Sequence, residues 1–151
     1  MEKTISRFTY LLETVPPKLN EIKKEEWEYR LPNKWSKKEV LGHLLDSACN
    51  NHQRFLKAQF EILPFAIHPY NQNMLVAFNG YQQRDAKEII QFWEVYNRHI
   101  LHVIKIIPGE KLNNLCDIYD QEGLVTLAFL IEDYVMHMEH HLEQIITTKL
   151  D

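Results

Sequence analysis

Apolar residues recur along this chain at three- and four-residue intervals in four long stretches, the period of a helix that buries one face. The first covers residues 4–15. It is expected to stop at Pro16-Pro17, where the N–H of the helical ladder is missing, with a short helical continuation through Leu19 and Ile22. The second covers 37–60, with Val40, Leu41, Leu44, Leu45, Ala48, Phe55 and Leu56 at helical spacing. The third covers 86–107, striped by Ile89, Trp93, Tyr96, Ile100, Ile104 and Ile107 and ended by Pro108-Gly109. The fourth covers 124–149, with Leu127, Ile131, Tyr134, Met138, Leu142 and Ile145. Ser36-Lys-Lys-Glu39 reads as a capping box with Trp35 able to staple against Val40, and Asp85-Ala-Lys-Glu88 as a second box. Few Thr/Val alternations and only four glycines argue against sheet. Between the second and third stretches, residues 61–84 hold Pro64, Pro69 and Gly80. A connection of that length is uncommon in a compact bundle and often functional. The pattern predicts an all-α fold: a four-helix bundle with a long crossover connection between helices 2 and 3, as one domain over 1–151.

Composition adds exclusions. At 45% hydrophobic and 25% charged, the chain is an ordinary globule, long enough to bury a core without disulfides or a structural metal. A metal is therefore free to be functional. The net charge of −4 gives no footprint for nucleic acid. Lys23 with Lys24, and Lys37 with Lys38, lie beside glutamates and read as solvated helix faces. No apolar run approaches the ~18 residues of a membrane span, and the N-terminus has no hydrophobic signal region. Cys49 and Cys116 make no disulfide framework, so a reduced, cytoplasmic protein is expected.

The candidate chemistry lies in histidines. His137 and His141 are four apart in a helical stretch, which puts both on one face about 6 Å apart. That geometry lets two imidazoles close on one divalent ion, as in H-E-x-x-H helices. A chain with eight histidines also produces such pairs by chance. His43 sits at the edge of the Val40–Leu44 stripe, where a hydrogen-bonded core histidine is the alternative. Gly42 beside it permits a close approach, or is a tolerated helix glycine. All three histidines flank buried stripes, and metal sites in bundles are built between such faces.

Two segments, Trp35-Ser36…Glu39-Val-Leu-Gly-His43-Leu-Leu-Asp46 and Asp133-Tyr…His137-x-x-His140-His141-Leu-x-Gln144-Ile, together resemble the DinB-like metal-binding family of four-helix bundles. Their order, separation and the total length fit over essentially the whole chain. The resemblance implies that His43, His137 and His141 are the metal ligands and that His140 is not. It implies a homodimer paired through bundle helices; Phe92, beside the Trp93 stripe, offers apolar surface for this. It also implies two reaction types: thiol S-transfer, as in bacillithiol transferase-like members, or hydrolysis.

Three neutral imidazoles leave a coordination position open for water or a substrate atom, the pattern of a catalytic site. All-nitrogen ligation suits zinc, nickel or iron, and a low-molecular-weight thiol would be the second cofactor in the transferase case. Asp46, three after His43, and Asp133, four before His137, are the candidate acid–base or imidazole-orienting residues; solvated carboxylates are the alternative. Asn50 and Arg54 share the His43 face; Arg54 is a candidate to meet an anionic substrate group, but it lies ~16 Å along the helix, and a surface arginine is the expected reading. Tyr70, Asn71 and Asn73 either roof the pocket or serve turns. His68, His99 and His102 read as surface, and Cys49 as core. The leading reading is a metal-dependent enzyme acting on a small molecule. A non-enzymatic metal-binding or stress-response protein, and a plain helical interaction module, are the competing classes. The five arginines form no cluster in sequence, which disfavours a thiol that carries carboxylates.

Overall fold

Each of the four apolar stripes forms a long helix in the computed structural model, which describes residues 1–148. In chain order the helices are α1 (Glu2–Glu21), α2 (Lys24–Glu28), α3 (Lys37–Lys57), α4 (Gln72–Asn79), α5 (Ala86–Ile106) and α6 (Leu127–Thr147). The expected extension of the last helix to Lys149 lies outside the described residues. α1 and α3 each pack against both α5 and α6, which makes a four-helix bundle. Its core is filled by Phe8 and Leu12 from α1, Leu41, Leu44 and Phe55 from α3, Trp93 and Ile100 from α5, and Leu127 and Ile131 from α6. Among the described residues no helix is long and apolar enough to cross a membrane.

α1 does not stop at Pro16-Pro17; it continues to Glu21. Packing overrides the local rule. Val15, Pro16 and Leu19 are buried on the same face as Phe8, Leu11 and Leu12. Pro16 has no N–H for the carbonyl of Leu12, the residue one turn earlier. The Arg98 guanidinium of α5 supplies that donor instead, at 3.0 Å from the Leu12 oxygen, while Glu94 holds the same group. Pro17 is on the exposed side. The residue that repairs the ladder also ties α1 to α5.

The all-α bundle also carries a minor sheet that the sequence pattern argues against. β1 (Phe65–Ile67), β2 (Leu115–Ile118) and β3 (Leu124–Thr126) form a small sheet in that order. β1 runs parallel to β2, with Phe65 opposite Cys116, and β2 antiparallel to β3, with Leu115 opposite Thr126. Strands of three or four residues are too short to show a period-two pattern above the noise. The sheet stitches the 61–84 crossover, which also carries α4, to the connection between α5 and α6. Leu124, expected in the last helix, is in β3; Thr126 caps α6 by accepting from the Phe129 N–H at 3.2 Å.

Ser36 and Glu39 form the expected reciprocal box: Ser36 N–H donates to the Glu39 carboxylate at 2.8 Å and Glu39 N–H to Ser36 Oγ at 3.2 Å. Asp85 caps α5 through the Lys87 N–H, but Glu88 pairs with Arg84 instead of closing a second box. Lys38 is not solvated. It is 4% exposed, and its Nζ donates to the Gln82 and Arg84 carbonyls at 3.0 Å each, clasping the end of the crossover onto α3. Cys49, expected in the core, is exposed.

The repaired proline turn gives a double-mutant test. Arg98→Met should cost about 1 kcal/mol in chemical denaturation, because it leaves the Leu12 carbonyl without its donor. In a Pro16→Ala background the restored N–H takes over, and the same substitution should cost much less. Equal costs in both backgrounds would contradict the role assigned to Arg98.

Candidate metal centre

His43 enters from α3 and His137 and His141 from successive turns of α6. Their donor nitrogens all lie within 4.8 Å of one another, and among the described residues they are the only such group of three. His43 Nε2 and His137 Nε2 are 3.2 Å apart. Ring centroids are 5.1 Å apart from His43 to each partner and 4.7 Å between His137 and His141. Metal–nitrogen bonds of about 2.0–2.1 Å in a tetrahedral sphere put two ligand nitrogens roughly 3.3 Å apart. The observed separation fits a shared divalent ion with no rearrangement of these two rings. His140, the intervening member of the motif, is exposed.

Electrostatics favour the ligand form. Burial, and then the charge of neighbouring imidazoles, pulls His43 and His137 down to about 4. Both are therefore neutral at ordinary pH, with lone pairs available. His141 Nδ1 lies 3.1 Å from Gln144 Oε1, a contact that holds the proton on Nδ1 and leaves Nε2 for a metal. His43 Nδ1 is buried without a partner, and the ring is held by packing under Trp35, centroid to centroid 5.1 Å.

A close approach sets the height of His43. Gly42 faces the Tyr81 ring so closely that a Cβ there would lie 2.1 Å from Tyr81 Cδ2. Seated on Gly42, Tyr81 donates its hydroxyl to Asp46 Oδ1 at 2.7 Å, and the Asn79 amide donates to the same oxygen at 2.8 Å. Gly80 makes the turn between them with φ of 61°. Asp46 is buried and Oδ2 has no partner. Burial raises its carboxyl pKa, against the pull of its two hydrogen bonds. Asp46 thus binds the crossover to α3 and makes no hydrogen bond to an imidazole.

A pocket of about 330 Å³ opens beside His137, lined also by Asp133, Ser47, Asn51, Tyr70 and Arg54 among others. Asp133 is exposed at its wall. Arg54 corrects the surface expectation: it is half-buried, donates to the His68 carbonyl at 2.9 Å and lies 5.6 Å from the centroid of the Tyr70 ring. Tyr70 lines the pocket, whereas Asn71 caps α4 by accepting from Met74 N–H, and Asn73 is exposed. Asn50 turns to the Asp46 backbone carbonyl. Sequence reasoning passed over His52, whose Nδ1 lies 2.9 Å from the Tyr96 hydroxyl and whose ring is 5.1 Å from that of His99. His52 and His99 come from different helices at unrelated spacings, so no local pattern marks them.

The model of the DinB superfamily matches residues 1–145. Among curated proteins none matches the sequence. Among solved structures, Bacillus subtilis YfiT, a probable metal-dependent hydrolase with an unusual four-helix bundle topology, superposes with a TM-score of 0.80 at 20% identity. The match covers 96% of this chain and 85% of YfiT. The mycothiol-dependent maleylpyruvate isomerase superposes with a TM-score of 0.74 at 11% identity, and a point mutant of it at 10%. There 93% of this chain is covered but only 58% of the isomerase. At these identities the likeness is one of fold.

Replacing His43, His137 or His141 by alanine should sharply lower the metal bound per chain, measured on untagged protein by elemental analysis. His140→Ala and His102→Ala should leave it unchanged. Equal losses in both groups would remove the three-histidine assignment.

Proposed function

The chain belongs to the DinB superfamily, and on that footing we propose that it is a metal-dependent enzyme acting on a small molecule, with His43, His137 and His141 holding one divalent ion. The observation that carries this reading is the convergence of three imidazoles, one of which, His137, borders a 330 Å³ pocket with polar side chains in its wall. Zinc, nickel or iron at such a site supplies Lewis acidity and lowers the pKa of a water or thiol in its open position. His43 is the rigid member, fixed by burial and Trp35, while His137 borders the space where a substrate fits. Asp133, one turn before His137 and facing the same pocket, is the proposed acid–base residue. Asp46 is proposed as a positioning residue, since its exposed surface is small and its bonds go to Tyr81 and Asn79.

Two reactions fit this arrangement. One is hydrolysis, the activity ascribed to YfiT; the other is a reaction dependent on a low-molecular-weight thiol, as in the mycothiol-dependent isomerase. The proposed setting is the cytoplasm, which suits the unpaired Cys49 and Cys116. The proposed assembly is a homodimer through α5, where Phe92, Val95 and Ile106 are 47%, 61% and 64% exposed along one stripe. Light scattering at tens of micromolar should give a dimer mass, and a monomer mass would contradict this.

The metal-stripped protein should remain folded, with a melting temperature lowered only by ligand linkage. Metal-loaded protein should turn over hydrolytic substrates, or electrophiles when a thiol is added. Asp133→Asn should then cut turnover by roughly 10²-fold or more without lowering the melting temperature. If the stripped protein is unfolded, the site is structural. If the loaded protein turns over neither class, the non-enzymatic metal-binding role replaces this one.

A further inference from the structure

Four of the five arginines are paired with glutamate: Arg7 with Glu139, Arg30 with Glu39, Arg84 with Glu88 and Arg98 with Glu94. Arg54 is the exception among the described residues. It is also the one lysine or arginine in the wall of the pocket that His137 borders. Its guanidinium has five N–H donors. The structure gives it two acceptors, the His68 carbonyl at 2.9 Å and the Asn51 side-chain oxygen at 3.4 Å, both neutral. A half-buried cation with neutral partners retains capacity for an anion, and a planar fork favours a carboxylate held by two hydrogen bonds. The rest of the wall is mixed: Ile67, Pro69, Tyr70, Ile118 and Leu130 give it apolar surface among polar residues such as Ser47 and Gln121.

We infer that Arg54 anchors the carboxylate of a small acid with an apolar body, whose reactive end lies at His137. The inference rests on the proposed metal-dependent reading only for what happens at that reactive end. Charge selects a monoanion: Asp133 lines the same pocket, so a phosphate dianion would meet one cation and one carboxylate. Position sets the size. Arg54 lies eleven residues after His43, whose Nε2 is 3.2 Å from that of His137; that is ~16 Å of helix rise, and the arginine leans back toward the helix N-terminus, as its contact with Asn51 shows, which leaves on the order of 10 Å. A ligand spanning both is longer than acetate and fits octanoate or phenylbutyrate. Sequence spacing alone reads Arg54 as surface; the crossover instead sets Tyr70 and the His68 carbonyl against it and makes it part of the pocket wall.

The test compares octanoate with octanol by calorimetry, on metal-loaded and on metal-stripped protein, in wild type, Arg54→Gln and Arg54→Lys. Octanoate should bind wild type in both metal states, and Arg54→Gln should weaken it about tenfold or more. Octanol should bind wild type and Arg54→Gln equally. Arg54→Lys, which keeps the charge but not the fork, should fall between the two for octanoate and serves if the glutamine variant does not fold. Equal weakening of acid and alcohol would mean that Arg54 only shapes the wall, and would overturn the inference. So would octanoate binding that is lost on metal removal but unaffected by either substitution, or tighter binding of octyl phosphate than of octanoate. If the protein binds no metal yet octanoate still depends on Arg54, the anchor stands and the metal-dependent reading alone falls.

Discussion

The contact that the rest of the structure serves is the meeting of α3 and α6 at His43 and His137, with two ring nitrogens 3.2 Å apart. Two imidazoles do not approach with their nitrogens facing unless a proton or a cation lies between them. A neutral ring can supply that proton from its own N–H, so it is the convergence of a third donor, His141, on the same point that makes a metal the natural partner. Holding that geometry requires α3 at a fixed height and rotation. The Ser36–Glu39 box starts the helix in place, Trp35 covers the His43 ring, and Tyr81 locks against Gly42. Asp46, one turn on, anchors Tyr81 and Asn79, so the crossover and the ligand helix form one unit.

The bundle helices alone would leave the space beside His137 an open groove. The two long connections turn that groove into a pocket. β1 pairs with β2 and brings Ile67 and Ile118 to the wall, and the chain beyond β1 lays Tyr70 over Arg54. Lys38 holds the other end of the crossover through two carbonyls. The helices thus supply the histidines and the cation Arg54, while the connections supply enclosure.

The sequence made legible whatever depends on local period. The four helices, the Ser36 box and the placement of His43, His137 and His141 at the edges of buried stripes all follow from spacings within one helix. What it hid depends on partners distant in the chain. Pro16 reads as a stop until Arg98, 82 positions later, supplies a donor to Leu12. Lys38 reads as solvated until the Gln82 and Arg84 carbonyls close over it. The strands were invisible because a three-residue strand is defined by its partner, as Phe65 is by Cys116. Arg54 was misplaced because helix rise measures distance along one element and says nothing about a loop that folds back.

X-ray absorption at the metal edge of the loaded, untagged protein tests the central claim most directly. The account predicts three imidazole nitrogens at about 2.0–2.1 Å, with their ring multiple-scattering pattern, and one or more further light atoms completing the sphere. A sulfur shell, or fewer than three imidazoles, would contradict it.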